Sequence, residues 1–196
     1  GPGAIIAALR AMIHDLQATV DRHLIPLEAT ARAWGWKEPR SIFLLPFFAG
    51  CLPGLKFLHV VRDSPDMAYS GNQNQLRKHG RAFLDTAESD ERPSVRSIAL
   101  WSRLNAQTAA FGEGALGARY LRVRLEDLCR EPGPTIRRVF AFFDLEGDAE
   151  EIGRLEVATP PTLGRWRSQD WKSRRDVQRV GQAALERFGY DAAPPD

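Results

Sequence analysis

Apolar side chains at Ile5, Leu9, Met12, Leu16 and Val20 recur three or four positions apart, with polar residues between them. That spacing paints one stripe on a helix and predicts a helical lead-in over residues 4–34, kinked or divided at Pro26. Trp34-Gly35-Trp36-Lys37-Glu38-Pro39 closes it. Pro39 suits a first helical turn, and Ser41 to Leu52 is apolar enough for a buried helix. Leu55 to Val61 reads as a strand, being short, apolar and preceded by Pro53-Gly54. A helix is expected from Asp66 through Gln75 or beyond, then an exposed polar loop over Asp85 to Arg92. Ser94 to Phe111 is helical, with Ile98, Trp101, Leu104 and Ala109 on one side. Arg119 to Leu125 is a second strand, followed by a helix opening near Pro132 to Thr135 that carries Ile136, Val139, Phe140 and Phe143. Residues 158–173 look irregular and basic, and Val177 to Phe188 is a last helix. Strands alternating with helices of this length predict an α/β fold with a parallel sheet flanked by helices. Two clear strands are few for that architecture.

Composition narrows the class. At 196 residues the chain is expected to form a single domain, 1–196, with a core that needs no staples. It is 43% hydrophobic and 27% charged, which excludes disordered, collagen-like and disulfide-scaffold classes. Cys51 and Cys129 have no zinc spacing and read as small buried hydrophobes. The longest apolar stretch, Ile42 to Leu55, is broken by Pro46 and Pro53, so no membrane span is expected. No segment has the form of a signal peptide, and a cytoplasmic location is the expectation.

Charge singles out one region. From Thr162 to Arg187 there are seven basic residues, including Arg165, Arg167 and Lys172, against Asp170, Asp176 and Glu186. This is either a solvated helix face or an anion site. Nucleic acid is not expected as a partner, because no basic stripe with interleaved aromatics recurs elsewhere.

Most short motifs fall away on context. Gly112-Glu113-Gly114-Ala115-Leu116-Gly117 has dinucleotide spacing but follows a helix and precedes a strand, so it reads as a flexible turn. No Gly-Lys-Ser/Thr phosphate loop and no G-x-S-x-G elbow occur. His14, His23, His59 and His79 lack metal spacing, and no metal site is expected. His59, mid-strand, reads as a core residue or as one that supports a site residue from behind. Arg62-Asp63-Ser64-Pro65-Asp66-Met67-Ala68-Tyr69-Ser70 differs, because it starts where an apolar strand stops and runs into a helix. Ligands of open parallel sheets bind beyond such strand ends, and a helix start there would add unpaired amides. Arg62 brings a permanently charged donor fork and Ser70 a hydroxyl; an Arg62–Asp63 ion pair is the plainer alternative.

These residues carry a resemblance. Lys37-Glu38-Pro39-Arg40, the strand ending in Arg62, and Ser70 eight residues on resemble the sulfotransferase family that uses 3′-phosphoadenosine 5′-phosphosulfate. The likeness continues in Tyr120-Leu-Arg-Val-Arg-Leu-Glu-Asp-Leu, in Glu131-Pro132 with the helix after it, and in Gly164-Arg165-Trp166-Arg167. The resemblance implies the family's P-loop-NTPase-like sheet and transfer of a sulfuryl group to an acceptor hydroxyl or amine on a small molecule, sugar or peptide. It also implies that adenosine 3′,5′-bisphosphate is the product. Arg62, Ser70, Gly164 and Arg165 would bind the 3′-phosphate, making 160–175 a nucleotide-facing loop. Lys37 would stabilise charge on the leaving oxygen; its alternative is a surface lysine at a helix start. Two departures stand. Nothing in the sequence matches the family's phosphosulfate loop, so the fold is expected to be incomplete at its N-terminus, with weak turnover by the chain alone. Leu125 replaces an aromatic often found before the Glu-Asp pair. The rival reading is a catalytically inactive relative that serves as a nucleotide-binding or interaction module.

Overall fold

A computed structural model describes His14, residues 33–84 and residues 92–190. The chain forms two compact units, Gly1–Ser41 and Ile42–Asp196. The expected helix over 4–34 and loop Asp85–Arg92 lie almost wholly outside the described residues; within them, His14 is helical. In the first unit, Trp34 and Trp36 stack with ring centroids 5.5 Å apart, and Trp36 Nε1 donates to Ser41 Oγ at 3.0 Å. Arg40 donates to both oxygens of Glu38, which holds that carboxyl below the ordinary carboxylate range.

The buried helix expected over Ser41–Leu52 is two shorter pieces, a 3-10 turn over Pro39–Phe43 and α1 over Leu45–Cys51. Pro46, which has no N–H, starts a new first turn, and the helix stops just before Pro53. Only Leu45 and Phe48 of α1 are buried. Cys51 is exposed and Cys129 half-buried, so neither thiol is the core residue expected from composition.

The second unit is built on β1 (Phe57–Val61) and β2 (Tyr120–Arg124), parallel neighbours in the register Phe57↔Tyr120 to Val61↔Arg124. Between them run α2 (Ser64–Ala68), α3 (Asn74–Phe83) and α4 (Pro93–Phe111). After β2 come α5 (Leu125–Arg130), α6 (Pro132–Phe143), α7 (Ala149–Glu156) and α8 (Trp171–Phe188). The α/β fold with a parallel sheet and flanking helices is therefore present, with a two-stranded sheet among the described residues. The glycine-rich stretch is a π-helical turn over Gly112–Leu116 and a 3-10 turn over Gly117–Arg119, where a loose turn was expected.

The main core joins Val61, Ala68, Val95, Ile98, Ala109, Val177, Leu185 and Phe188, and so packs α4 and α8 over one sheet face. On that face His59 is buried. Its Nε2–H donates to Asn105 Oδ1 at 2.9 Å and its Nδ1 accepts from the Tyr120 hydroxyl at 2.7 Å. Asn105 Nδ2 is already donating to the Trp101 carbonyl, so Oδ1 is the acceptor and the tautomer follows. Burial pushes the imidazole down to about 4. Gly189, at φ 73°, ends α8 in the left-handed region open to glycine and turns Tyr190 back into the core. No described helix is long and apolar enough to cross a membrane.

Candidate functional site

The apolar run of β1 ends at buried Val61, which delivers Arg62 to the sheet's C-terminal edge. The long helix expected from Asp66 does not form. α2 is five residues, and Gln73 Nε2 fills the carbonyls of Ala68 (3.2 Å) and Ser70 (2.6 Å) where the helix would have continued. The amide ahead of α2, Asp63 N, donates to Glu126 Oε1 at 2.9 Å. That engages the amide just ahead of the helix, at the place the sequence reading put an anion.

A loop from the far end of the chain takes its place. Arg62 Nη2 donates to Thr162 O at 3.1 Å and to Thr162 Oγ1 at 2.9 Å. Arg165 Nε donates to the same Thr162 carbonyl at 3.2 Å. Asp66, with a fully buried side chain, lies 3.6 Å from Arg62 Nη2 and accepts the backbone amides of Gly164 (2.7 Å) and Trp166 (3.2 Å). The ion pair of Arg62 is thus with Asp66, one helical turn on, where the sequence pointed to Asp63. Gly164 holds φ 80°, a left-handed conformation that glycine adopts without strain.

Asp63 secures the other side. Its Oδ2 accepts from Trp166 Nε1 at 2.9 Å. Burial and the neighbouring Asp66 carboxylate push its carboxyl up to about 6, against that hydrogen bond. Glu126 passes the connection on by accepting from Tyr190 OH at 2.8 Å. The Arg124 guanidinium covers the Tyr190 ring at 4.3 Å and donates to Gly189 O at 2.7 Å. Both strand ends, the α2 turn, the 162–166 loop and the end of α8 are stitched together here.

Of the sequence-predicted residues, the structure brings Arg62, Gly164 and Arg165 together around Thr162 and Asp66. Ser70 lies two residues beyond α2, its Oγ accepting from the Asn72 amide at 3.2 Å. Lys37 is exposed, in the irregular segment ahead of Pro39 in the first unit. Sequence reasoning gave no role to Asp66, Thr162 or Trp166. Asp66 was legible as i+4 to Arg62; Thr162, a hundred residues from its partner, was not. Two polar atoms at the site are buried without a partner, Arg62 Nε and Ser64 Oγ. Two guanidinium groups converge on the one Thr162 carbonyl, which gathers two permanent positive charges at the end of the strand. No group of three His, Cys, Asp or Glu able to hold a metal occurs among the described residues.

A model of the sulfotransferase family matches residues 5–150, well over half of the chain. The chain belongs to the sulfotransferase family. Its class of chemistry is accordingly sulfuryl transfer. No curated protein and no solved structure matches it. In this sulfotransferase the loop that meets Arg62 lies beyond the matched residues, so its attachment rests on geometry alone.

Proposed function

We propose that this sulfotransferase takes its sulfuryl group from 3′-phosphoadenosine 5′-phosphosulfate and that Arg62, Ser70, Gly164 and Arg165 bind the 3′-phosphate end. The observation that carries the reading is the meeting of Arg62 and Arg165 at the Thr162 carbonyl, joining a strand-end arginine to the basic loop. When bound, the nucleotide supplies the activated sulfuryl group and departs as adenosine 3′,5′-bisphosphate. The Arg62 side chain is 22% exposed, and its charge is permanent. Arg165 reaches the same point from the opposite chain segment. Gly164, lacking a side chain, lets the backbone come close, and Ser70 offers a hydroxyl. Lys37 is assigned, on the Lys-Glu-Pro resemblance, to neutralising charge on the leaving oxygen. The acceptor is a hydroxyl or amine on a small molecule, sugar or peptide.

Calorimetry with adenosine 3′,5′-bisphosphate tests the binding half. Arg62→Ala is expected to lose about 1.5–3 kcal/mol, the worth of a hydrogen bond to a charged group. Preference over adenosine 5′-monophosphate is expected to collapse with it. Unchanged affinity overturns the assignment. Release of the bisphosphate from the donor, over phenol, sugar and amine acceptors, tests the transfer half, with Lys37→Ala expected to lower kcat. A protein that binds the bisphosphate but releases none is a nucleotide-binding module.

A further inference from the structure

Resting on that reading, we infer that Asp66 is the positioning residue of the site, setting the Arg62 guanidinium and the Thr162–Trp166 loop in one arrangement without touching the nucleotide. A carboxylate with no solvent exposure is costly unless its charge is met by donors. Asp66 is met three times: by the Gly164 amide at 2.7 Å, by the Trp166 amide at 3.2 Å, and by Arg62 Nη2 at 3.6 Å. The two hydrogen-bond donors belong to the basic loop and the ion-pair partner to the strand end, so one side chain fixes both halves of the anion grip. Its two oxygens divide the work. Oδ1 holds Trp166, while Oδ2 holds Gly164 and faces Arg62. The backbone on either side of Arg165 is therefore pinned by the residue that orients Arg62. Arg165, between those two amides, donates to Thr162 O at 3.2 Å. Asp63 cannot substitute, because its carboxylate takes the Trp166 indole N–H and no loop amide.

Asp66→Asn is the informative change, because it preserves shape but converts one acceptor into an NH2 donor aimed at a backbone N–H or at Arg62. Three readouts are expected in the folded variant. Amide exchange at Gly164 and Trp166 accelerates, while that of α4 and α8 does not. Affinity for adenosine 3′,5′-bisphosphate falls roughly tenfold or more, in line with loss of a charge-assisted contact. Affinity for adenosine 5′-monophosphate stays within about twofold, a split that general destabilisation would not produce. Equal weakening of both nucleotides, or an unchanged preference for the 3′-phosphate, overturns the inference. Arg62→Ala run alongside distinguishes the binding site from the positioning role. If Arg62→Ala leaves bisphosphate binding unchanged, the site reading itself fails; if it weakens binding while Asp66→Asn does not, only the positioning role fails. Should Asp66→Asn not fold, exchange in the unaltered protein decides. Slow exchange at Gly164 and Trp166 is expected, and exchange at open-loop rates at either amide overturns the role.

Discussion

Tyr120 and His59 face each other across the two strands, and their contact shows what one hydroxyl is worth in a buried network. His59 has only two ring nitrogens, and both are engaged: Nε2–H to Asn105 and Nδ1 from Tyr120. Removing the Tyr120 hydroxyl would leave a buried acceptor with no donor, and nothing else in the pair compensates. Tyr120→Phe is expected to cost ~1–3 kcal/mol in urea unfolding, the penalty of an orphaned buried polar group. A loss below ~0.5 kcal/mol would mean that water replaces the hydroxyl. The sequence marked His59 as a core residue from its mid-strand position, and that reading holds. Its partners were not legible, because Asn105 and Tyr120 lie 46 and 61 residues away, and periodicity within one element carries no information about contacts between elements. The strand-end position of Arg62 was legible for the opposite reason: the apolar run of β1 and the charged residue that follows it are adjacent in sequence. Cys51 was misjudged because thiols are usually buried, whereas α1 buries only Leu45 and Phe48.

At the scale of elements, the seam between α4 and α8 depends on one absent side chain. Gly181 sits mid-helix on α8, and a Cβ added there would run into Ile98, which has no solvent exposure at all. Alanine is the better helix former by ~1 kcal/mol. Overpacking a filled core costs ~1–3 kcal/mol, so Gly181→Ala is expected to be net destabilising. Ile98→Val removes the Cδ1 that the new methyl meets, and the double variant should recover part of the loss, a non-additivity visible in the urea midpoint. A midpoint at or above wild type in the single variant would show that the seam has room. The long helix α4 was readable from the spacing of Ile98, Leu104 and Ala109, all of which are buried. Its partner α8 was read six residues short, because Trp171 to Asp176 is polar and basic and its start is set by Asp170, whose side chain accepts from the Ser173 amide at 2.9 Å. The eight-residue α7 escaped notice altogether. Gly153 interrupts its pattern, and the Asp148 cap that accepts from the Glu150 and Glu151 amides was its one local mark.

Across the second unit as a whole, a buried imidazole and a half-buried carboxyl give stability opposite dependences on pH. Asp63 is raised from 3.8 to about 6 in the fold, by burial first and then by the Asp66 and Glu126 carboxylates, with the Trp166 N–H and Arg167 opposing. His59 is lowered from 6.5 to about 4, chiefly by burial. Between these values the native chain holds a proton on Asp63 that the unfolded chain has lost, so this group makes stability fall as pH rises. The native chain lacks a proton on His59 that the unfolded chain carries, so this group makes stability rise as pH rises. Each slope is at most one proton, about 1.4 kcal/mol per pH unit, and the two oppose each other from about pH 4 to pH 6. Asp63→Asn removes the first slope while keeping an oxygen for the Trp166 indole. The stability of the variant minus that of the wild type is therefore expected to climb from pH 4 to pH 6 and to level off above it. Urea titrations at half-unit steps measure that difference, in which carboxylates common to both proteins cancel. A flat difference would show that Asp63 titrates in the fold as it does in the unfolded chain. A difference that falls with pH would mean that the Trp166 hydrogen bond and Arg167 outweigh burial, leaving Asp63 a firmly ionised anchor for the loop.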